Sequence, residues 1–440
     1  MKEGLKMDCY TRDGNILNAG AWVEVNLDAL AYNYETVRSI VGEETKICAV
    51  VKADAYGHGV LEIARLLEQK GADYLGVAVL DEGVELRKLG ITKPIMVLGP
   101  LMPGQASYVM RYDLTQTICS YEMARELSDE AVRQRKQVRV HIKVDTGMGR
   151  IGMHYEDAVA EISKIKELPY INVEGIFTHF ATADSEDKSY VFEQWANFNM
   201  VLSDLKKQGI NIPIAHVATS ATVIDLPFMK LDMVRTGLML YGLYPRASMR
   251  RKVELKPVLT LKAKISYLKD ITKRTSISYG RKYFAEIGQT IATLPIGYYD
   301  GYRRHLTNNA DVLVGGLRCP VVGTVCMDHV MVNVTSVPVV DRFDEAVLIG
   351  RQGTNEITVD EIAERLSTIN YEVTSSLSKR LPRIFIRGGK VVAVRNLLGY
   401  HSGYAISPEK IAGVIDESFI PDGSENKVGK KIRQRERLKI

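Results

Sequence analysis

Short apolar runs rich in β-branched residues recur between about positions 46 and 240, each closed by polar or glycine-containing residues and followed by a stretch with helical spacing. That alternation is the signature of βα units. Strands are predicted at 47–51, 74–79, 95–98, 115–118, 138–144, 173–177, 214–217 and 233–238. Between them, Val60, Ile63, Ala64, Leu66 and Leu67 recur on one helical face, and Phe192, Trp195, Ala196, Phe198 and Met200 give a broader apolar helix. Eight such units over roughly 200 residues predict an α/β fold with an N-terminal (β/α)8 barrel, compact against the usual ~250. A doubly wound open sheet is the alternative.

After Tyr241 the texture changes. Short strands are predicted at 259–265, 290–294, 310–314, 319–325, 330–334 and 345–349, separated by Gly and Pro turns and interrupted by a single helical pattern at 360–367. Regular spacing of this kind indicates a mostly β C-terminal domain. The change falls between Pro245 and Pro257, which divides the chain into an N-terminal extension (1–20), the barrel (21–250), the β domain (251–398) and a basic C-terminal tail (399–440). A further strand at 22–26 fits either domain.

Length supports two domains, since single cores usually stop growing well short of 440 residues. An apolar share of 46% and a charged share of 25% exclude a disordered, fibrous or membrane-embedded chain. The net charge of +5 includes a run in the tail, Lys427, Lys430, Lys431, Arg433, Arg435, Arg437 and Lys439. Terminal charge runs are usually solvated, so neither a nucleic-acid nor a membrane partner is expected. Five widely spaced cysteines include no Cys-x-x-Cys pair, which fits reduced thiols and no metal. Residues 1–10 contain no apolar export segment and no run of about 18 apolar residues occurs, so a cytoplasmic protein is expected.

In a parallel barrel the C-terminal strand ends form the active face. The strand at 47–51 runs directly into Lys52, where desolvation lowers an amine's pKa and frees it for imine formation. An isolated lysine there would simply snorkel. Likewise Asp145-Thr146-Gly147 beside Lys143 and Arg150 reads alone as a turn, His179 as a core histidine, and Ser220 as a helix cap.

The full string Val50-Val51-Lys52-Ala53-Asp54-Ala55-Tyr56-Gly57-His58-Gly59 resembles the cofactor-lysine signature of the alanine racemase family, with aspartate at 54 where many members have asparagine. Segments from 21 to 397 resemble the family in order and spacing. The resemblance implies pyridoxal 5'-phosphate held as an aldimine by Lys52, and racemisation of alanine between its L and D forms. It implies that Arg150 contacts the cofactor's phenolic oxygen and the substrate, that Lys143 is carbamylated and orients Arg150, and that His179 stacks on the pyridine ring. Arg235 would face the pyridine nitrogen, and Tyr56, Ser220, Gly237 and Leu238 would bind the phosphate. An arginine cannot give up its proton, so it leaves the cofactor a weaker electron sink, which suits racemisation and not the related decarboxylases.

Two bases must flank Cα. The resemblance implies Lys52 and Tyr279, the latter in Ser278-Tyr279-Gly280-Arg281, tuned through His179 and Arg235 and supplied by the second subunit of a head-to-tail homodimer. It places Tyr298 at the entrance and gives Met327 a backbone contact to the substrate carboxylate. Two residues depart from the pattern: Lys379 stands where many members have a phosphate-contacting tyrosine and would bind the cofactor phosphate as a point charge instead, and Thr324 stands where an arginine often lines the entrance. Lys379 keeps a serine or broad-specificity racemase open as the alternative. Related non-catalytic carriers of the cofactor resemble the barrel alone, so the second domain argues for an enzyme.

Overall fold

The structure, a computed structural model, describes residues 19–397 and 399–402. The extension and basic tail lie outside the described residues apart from 19–20 and 399–402. The chain enters through β1 (Ala21–Asn26) and α1 (Leu27–Val41). α1 forms because Leu27, Leu30, Tyr34, Val37 and Val41 repeat at helical spacing and are buried, and the Asn26 side chain caps its start by accepting from Ala29 N at 2.9 Å. Gly42, at φ 77°, ends it.

Eight parallel strands follow: β2 (Lys46–Val50), β3 (Tyr74–Val77), β4 (Ile95–Pro100), β5 (Thr115–Ile118), β6 (Val138–Asp145), β7 (Ile171–Phe177), β8 (Ile214–His216) and β9 (Met233–Thr236). β2 pairs with both β3 and β9, so the first and last barrel strands meet. The seam between β8 and β9 is bridged by backbone hydrogen bonds from Asp232 to Ala215 (3.1 Å) and from Arg235 to Ala218 (2.9 Å). The barrel therefore curls round on itself, and the open-sheet alternative fails. Alternate side chains of each strand face opposite ways. Ile47 and Ala49 join the main core against the helices, whereas Cys48, Tyr74, Met96, Phe177, Ile214 and Met233 cluster inside the barrel.

Among the helices, Ser189–Lys207 differs from its expected face. Its buried residues are Val191, Gln194, Phe198, Val201 and Leu205, while Phe192 and Met200 are exposed. Spacing of three and four residues, rather than bulk, decides which side packs.

The C-terminal domain is built from β10 (Leu259–Lys264), β11 (Tyr267–Asp270), β12 (Thr290–Leu294), β13 (Asp311–Val314), β14 (Val330–Asn333), β15 (Glu345–Gln352), β16 (Arg383–Arg387) and β17 (Lys390–Asn396), with shorter strands between them. Its large sheet includes β1, antiparallel to β10 and parallel to β16, so the first strand among the described residues belongs here. Where one strand was expected at 319–325, a strand Leu317–Pro320 ends and only a single bridge follows, from Val321 to Val332. Gly323 at φ 79° turns the chain out of the ladder. Beyond the expected helix, found at Val359–Arg365, a second short one occupies Asn370–Ser375.

No helix among the described residues is long and apolar enough to cross a membrane. Cys48, Cys119, Cys319 and Cys326 are free thiols.

Candidate active site

Lys52 leaves β2 at the C-terminal mouth of the barrel. The four residues after it, Ala53 to Tyr56, all have φ of 54° and form one left-handed turn. Such a turn of L-residues costs roughly 1–2 kcal/mol per residue, so it persists only where its surroundings enforce it. Glu82 accepts from Ala53 N at 2.6 Å, and His58 Nδ1 bonds the carbonyls of Ala55 and Tyr56 at 2.9 and 3.1 Å. Asp54 accepts from Val60 N at 2.9 Å and from Arg395 of β17 at 2.6 Å. Burial alone would raise the Asp54 pKa, but Arg395, the Val60 amide and Arg383 together outweigh it and hold the carboxyl below its usual range. Arg383 of β16 donates to Gly57 O at 3.0 Å. Gly57 itself is required, since φ is +82° and a Cβ would lie 2.0 Å from Thr374 O. The second domain thus clamps the turn that carries Lys52.

Around Lys52 the barrel mouth gathers the residues singled out in the sequence. His179 feels the charges of Arg235, Lys143, Arg150 and Lys52 together, and burial followed by these cations drives its pKa well below the usual value. It is therefore neutral. Burial, and then Arg150, lowers the Lys52 pKa as well. Lys143 is 2% exposed, its Nζ has no hydrogen-bond partner, and burial followed by Arg235 and Arg150 lowers its pKa strongly. Arg150 stands exposed on the loop after β6, a loop whose amides at Gly147, Met148 and Gly149 are gathered by the Asp145 carboxylate.

Arg235 is 5% exposed and donates to His216 Nδ1 (2.9 Å), to the carbonyls of His216, Thr178 and Val217, and towards His179 Nδ1 (3.3 Å). Burial lowers its pKa to about 10, still far above neutrality, so the guanidinium keeps its charge.

Ser220 opens the short helix Ser220–Asp225, and its Oγ accepts from the amides of Gly237 and Met239 at 3.2 and 3.3 Å. A Cβ on Gly237 would come within 2.6 Å of the Tyr56 hydroxyl, so that glycine lets the Tyr56 tip approach the backbone before Leu238. The Lys52 Nζ lies 6.0 Å from the Tyr56 ring centroid. Lys52, Tyr56, Lys143, Arg150, His179, Ser220, Arg235, Gly237 and Leu238 thus share one mouth. The Arg150 and Arg235 cations suit an anionic guest, and an amine whose charged form is disfavoured is a nucleophile towards a carbonyl.

Tyr279 is different. Its ring is 71% exposed on the β domain, as are Met327 (50%) and Tyr298 (37%), and Lys379 is exposed as well. Its backbone is set by a reciprocal pair: Ser278 Oγ donates to Thr324 O (2.5 Å) and Thr324 Oγ1 donates to Tyr279 O (2.7 Å). Ser278 at φ 64° and ψ −175°, Gly280 at φ 69° and Arg281 at φ 49° bend the chain sharply on either side of the tyrosine. Thr324 is 1% exposed, so in place of an arginine at the entrance there is a buried hydroxyl that fixes the tyrosine's main chain. Sequence reasoning missed this role, and it missed His141, His216 and Glu174. The signal available was a polar residue in the middle of an otherwise apolar barrel strand.

Fold and site together define a two-domain barrel enzyme with a clamped, desolvated lysine at the strand ends. The family model for the alanine racemase N-terminal domain matches residues 25–245, and that for the alanine racemase C-terminal domain matches 258–385. The chain belongs to the alanine racemase family. It is 48% identical over 362 residues to an alanine racemase of Halothermothrix orenii, covering 82% of this chain and 96% of that one. Among solved structures it resembles alanine racemase of Clostridium difficile 630 (TM-score 0.83, 40% identity, 87% and 99% of the two chains). It also resembles the Bacillus anthracis alanine racemase with bound L-Ala-P (TM-score 0.82, 38% identity, 87% and 99%).

Proposed function

We propose that this chain is a cytoplasmic, pyridoxal-phosphate-dependent alanine racemase, acting as a homodimer with shared active sites. The observation that carries the reading is the pairing of a desolvated Lys52 with an Arg235 whose hydrogen-bond partners include no carboxylate. Relatives named alanine racemases across most of the chain's length support alanine over serine as substrate.

The residues present fit the cofactor. Lys52 would hold it covalently, Arg235 would face its ring nitrogen, His179 its ring and Arg150 its phenolic oxygen. Gly237, Leu238, Ser220 and Tyr56 supply small or polar groups where its phosphate would lie, and Lys143 is a buried amine whose neutral form suits carbamylation. When bound, the cofactor acidifies the α-proton of the amino acid. Lys52 then serves as the base on one face of Cα and Tyr279 of the partner subunit on the other. The exposure of Tyr279 supports this assignment, because an uncovered side chain on a fixed main chain is available to a second copy. Arg235 holds its proton and so limits charge delocalisation into the ring, which favours return of the proton over side reactions. Met327 presents its backbone to the substrate carboxylate.

Purified protein supplied with pyridoxal phosphate and a panel of L-amino acids, followed by chiral chromatography, tests the reading. Alanine is expected to be inverted fastest, and a protein that inverts only serine would remove alanine as the substrate. Lys379→Tyr is expected to raise the ratio of kcat/KM for alanine over serine by about three- to ten-fold, because one apolar contact in a pocket contributes roughly 1 kcal/mol or more of discrimination. An unchanged ratio would show that position 379 does not shape the pocket.

A further inference from the structure

The floor of the barrel, beneath the site, carries polar groups that the reaction just described does not use. His141 of β6 and His216 of β8 are both fully buried among Tyr74, Phe177 and other apolar side chains. His216 Nδ1 faces Arg235 Nη1 at 2.9 Å, His216 Nε2 meets His141 Nδ1 at 2.8 Å, and His141 Nε2 reaches Glu174 Oε2 of β7 at 3.4 Å. The Glu174 carboxylate also bonds the Tyr74 hydroxyl and is partly open to solvent. Gly175 makes this possible, since a Cβ there would stand 2.3 Å from His141 Nδ1.

Only one arrangement of protons satisfies every link. A guanidinium can only donate, so His216 Nδ1 must accept and its proton sits on Nε2. That proton points at His141 Nδ1, which must then accept, leaving the His141 proton on Nε2 and directed at the carboxylate. Burial lowers the pKa of both imidazoles, as neutral links require. Burial raises the Glu174 pKa, but the His141 and Tyr74 contacts and the nearby Arg139 charge together outweigh it and hold the carboxyl below its usual range, so it stays ionised.

We propose that Glu174, acting through His141 and His216, is a positioning residue for Arg235. The buried cation has no carboxylate of its own, and each polarised imidazole makes the next a better acceptor, so the compensating charge is delivered through two rings from the far side of the barrel. That anchors the guanidinium through Nη1, while Nη2 is held by the carbonyls of Thr178 and Val217. The importance of Arg235 to turnover rests on the function proposed above, whereas the proton arrangement does not.

Imidazole nitrogen NMR on the histidine-labelled apoprotein therefore tests the relay on its own. His141 and His216 are both expected as neutral Nε2–H tautomers, and an Nδ1–H or doubly protonated His216 would overturn the proposal. In Glu174→Gln the His216 Nδ1 resonance is expected to move although the two residues do not touch. In the cofactor-loaded enzyme kcat is expected to fall on the order of ten-fold with KM for alanine within about two-fold of wild type, at the low end of the ~10–100-fold typical of direct orienting partners because two rings separate Glu174 from Arg235. Adding Glu174→Gln to His141→Phe should lower kcat no further than His141→Phe alone, because links in one chain are non-additive. Multiplying effects, or an unmoved His216 resonance, would show that Glu174 acts independently. Should His141→Phe not fold, the wild-type tautomers still decide the matter.

Discussion

Lys52→Ala is expected to eliminate the visible absorbance of the cofactor-loaded protein and to cut alanine racemisation by roughly 10³-fold or more, since a positioned base alone typically contributes 10²–10⁴. The loss is larger than for any neighbour because, in the proposed function, one side chain would both hold the cofactor and move a proton. Lys52→Arg should fail as completely, since a guanidinium keeps the charge but offers no free amine. Neither change should unfold the protein, because the left-handed turn beside Lys52 is held by Glu82, His58, Arg383 and Arg395 and not by the lysine itself. Absorbance spectra, chiral turnover and thermal melts of the variants check each part. Wild-type turnover in Lys52→Ala would end the assignment.

The second large effect concerns Tyr279. Tyr279→Phe is expected to lower racemisation by about 10²–10⁴-fold, because it removes the acid–base hydroxyl from one face of Cα. Its side chain is exposed on the β domain, and the proposed homodimer would use it in the partner's site. If sites are shared, a heterodimer of Lys52→Ala and Tyr279→Phe subunits has one site with both defects and one with neither. Mixing the two inactive proteins under exchange conditions should recover activity, up to about half the wild-type value per heterodimer by the site count of two-fold symmetry. A site formed within one chain would leave both damaged, so verified exchange without recovered turnover would contradict the shared arrangement.

The barrel was legible because β-branched apolar runs ending in polar residues need little context, and strands such as β5 and β9 begin where the pattern places them. The helix Ser189–Lys207 was legible as a helix but not as a face, since large apolar residues also occur on its outer side. The expected strand at 319–325 failed at Gly323, where positive φ breaks a ladder that local hydrophobicity favours.

At the site, Lys52 and Arg235 stood out through the motifs they share with the alanine racemase family, since a lysine at a strand end reads alone as one that snorkels. The left-handed turn from Ala53 to Tyr56 was not legible, because its residues have no preference for that conformation and it exists only through partners up to 341 residues away, as Asp54 has in Arg395. Asp54 itself was read as a departure from a common asparagine, and its meaning appeared only when Arg395 was found opposite. Thr324 gave the same lesson: a missing arginine in sequence is a buried latch for Tyr279 in space. The histidines of the barrel floor were hidden because β6 and β8 read as apolar strands despite them.

The central claim, that Lys52 holds the cofactor, is tested most directly by borohydride reduction of the loaded protein followed by peptide mapping. The account predicts one irreversibly tagged peptide, with the cofactor on Lys52. A tag on Lys143, a buried amine of the barrel mouth, or on no lysine at all, would contradict it.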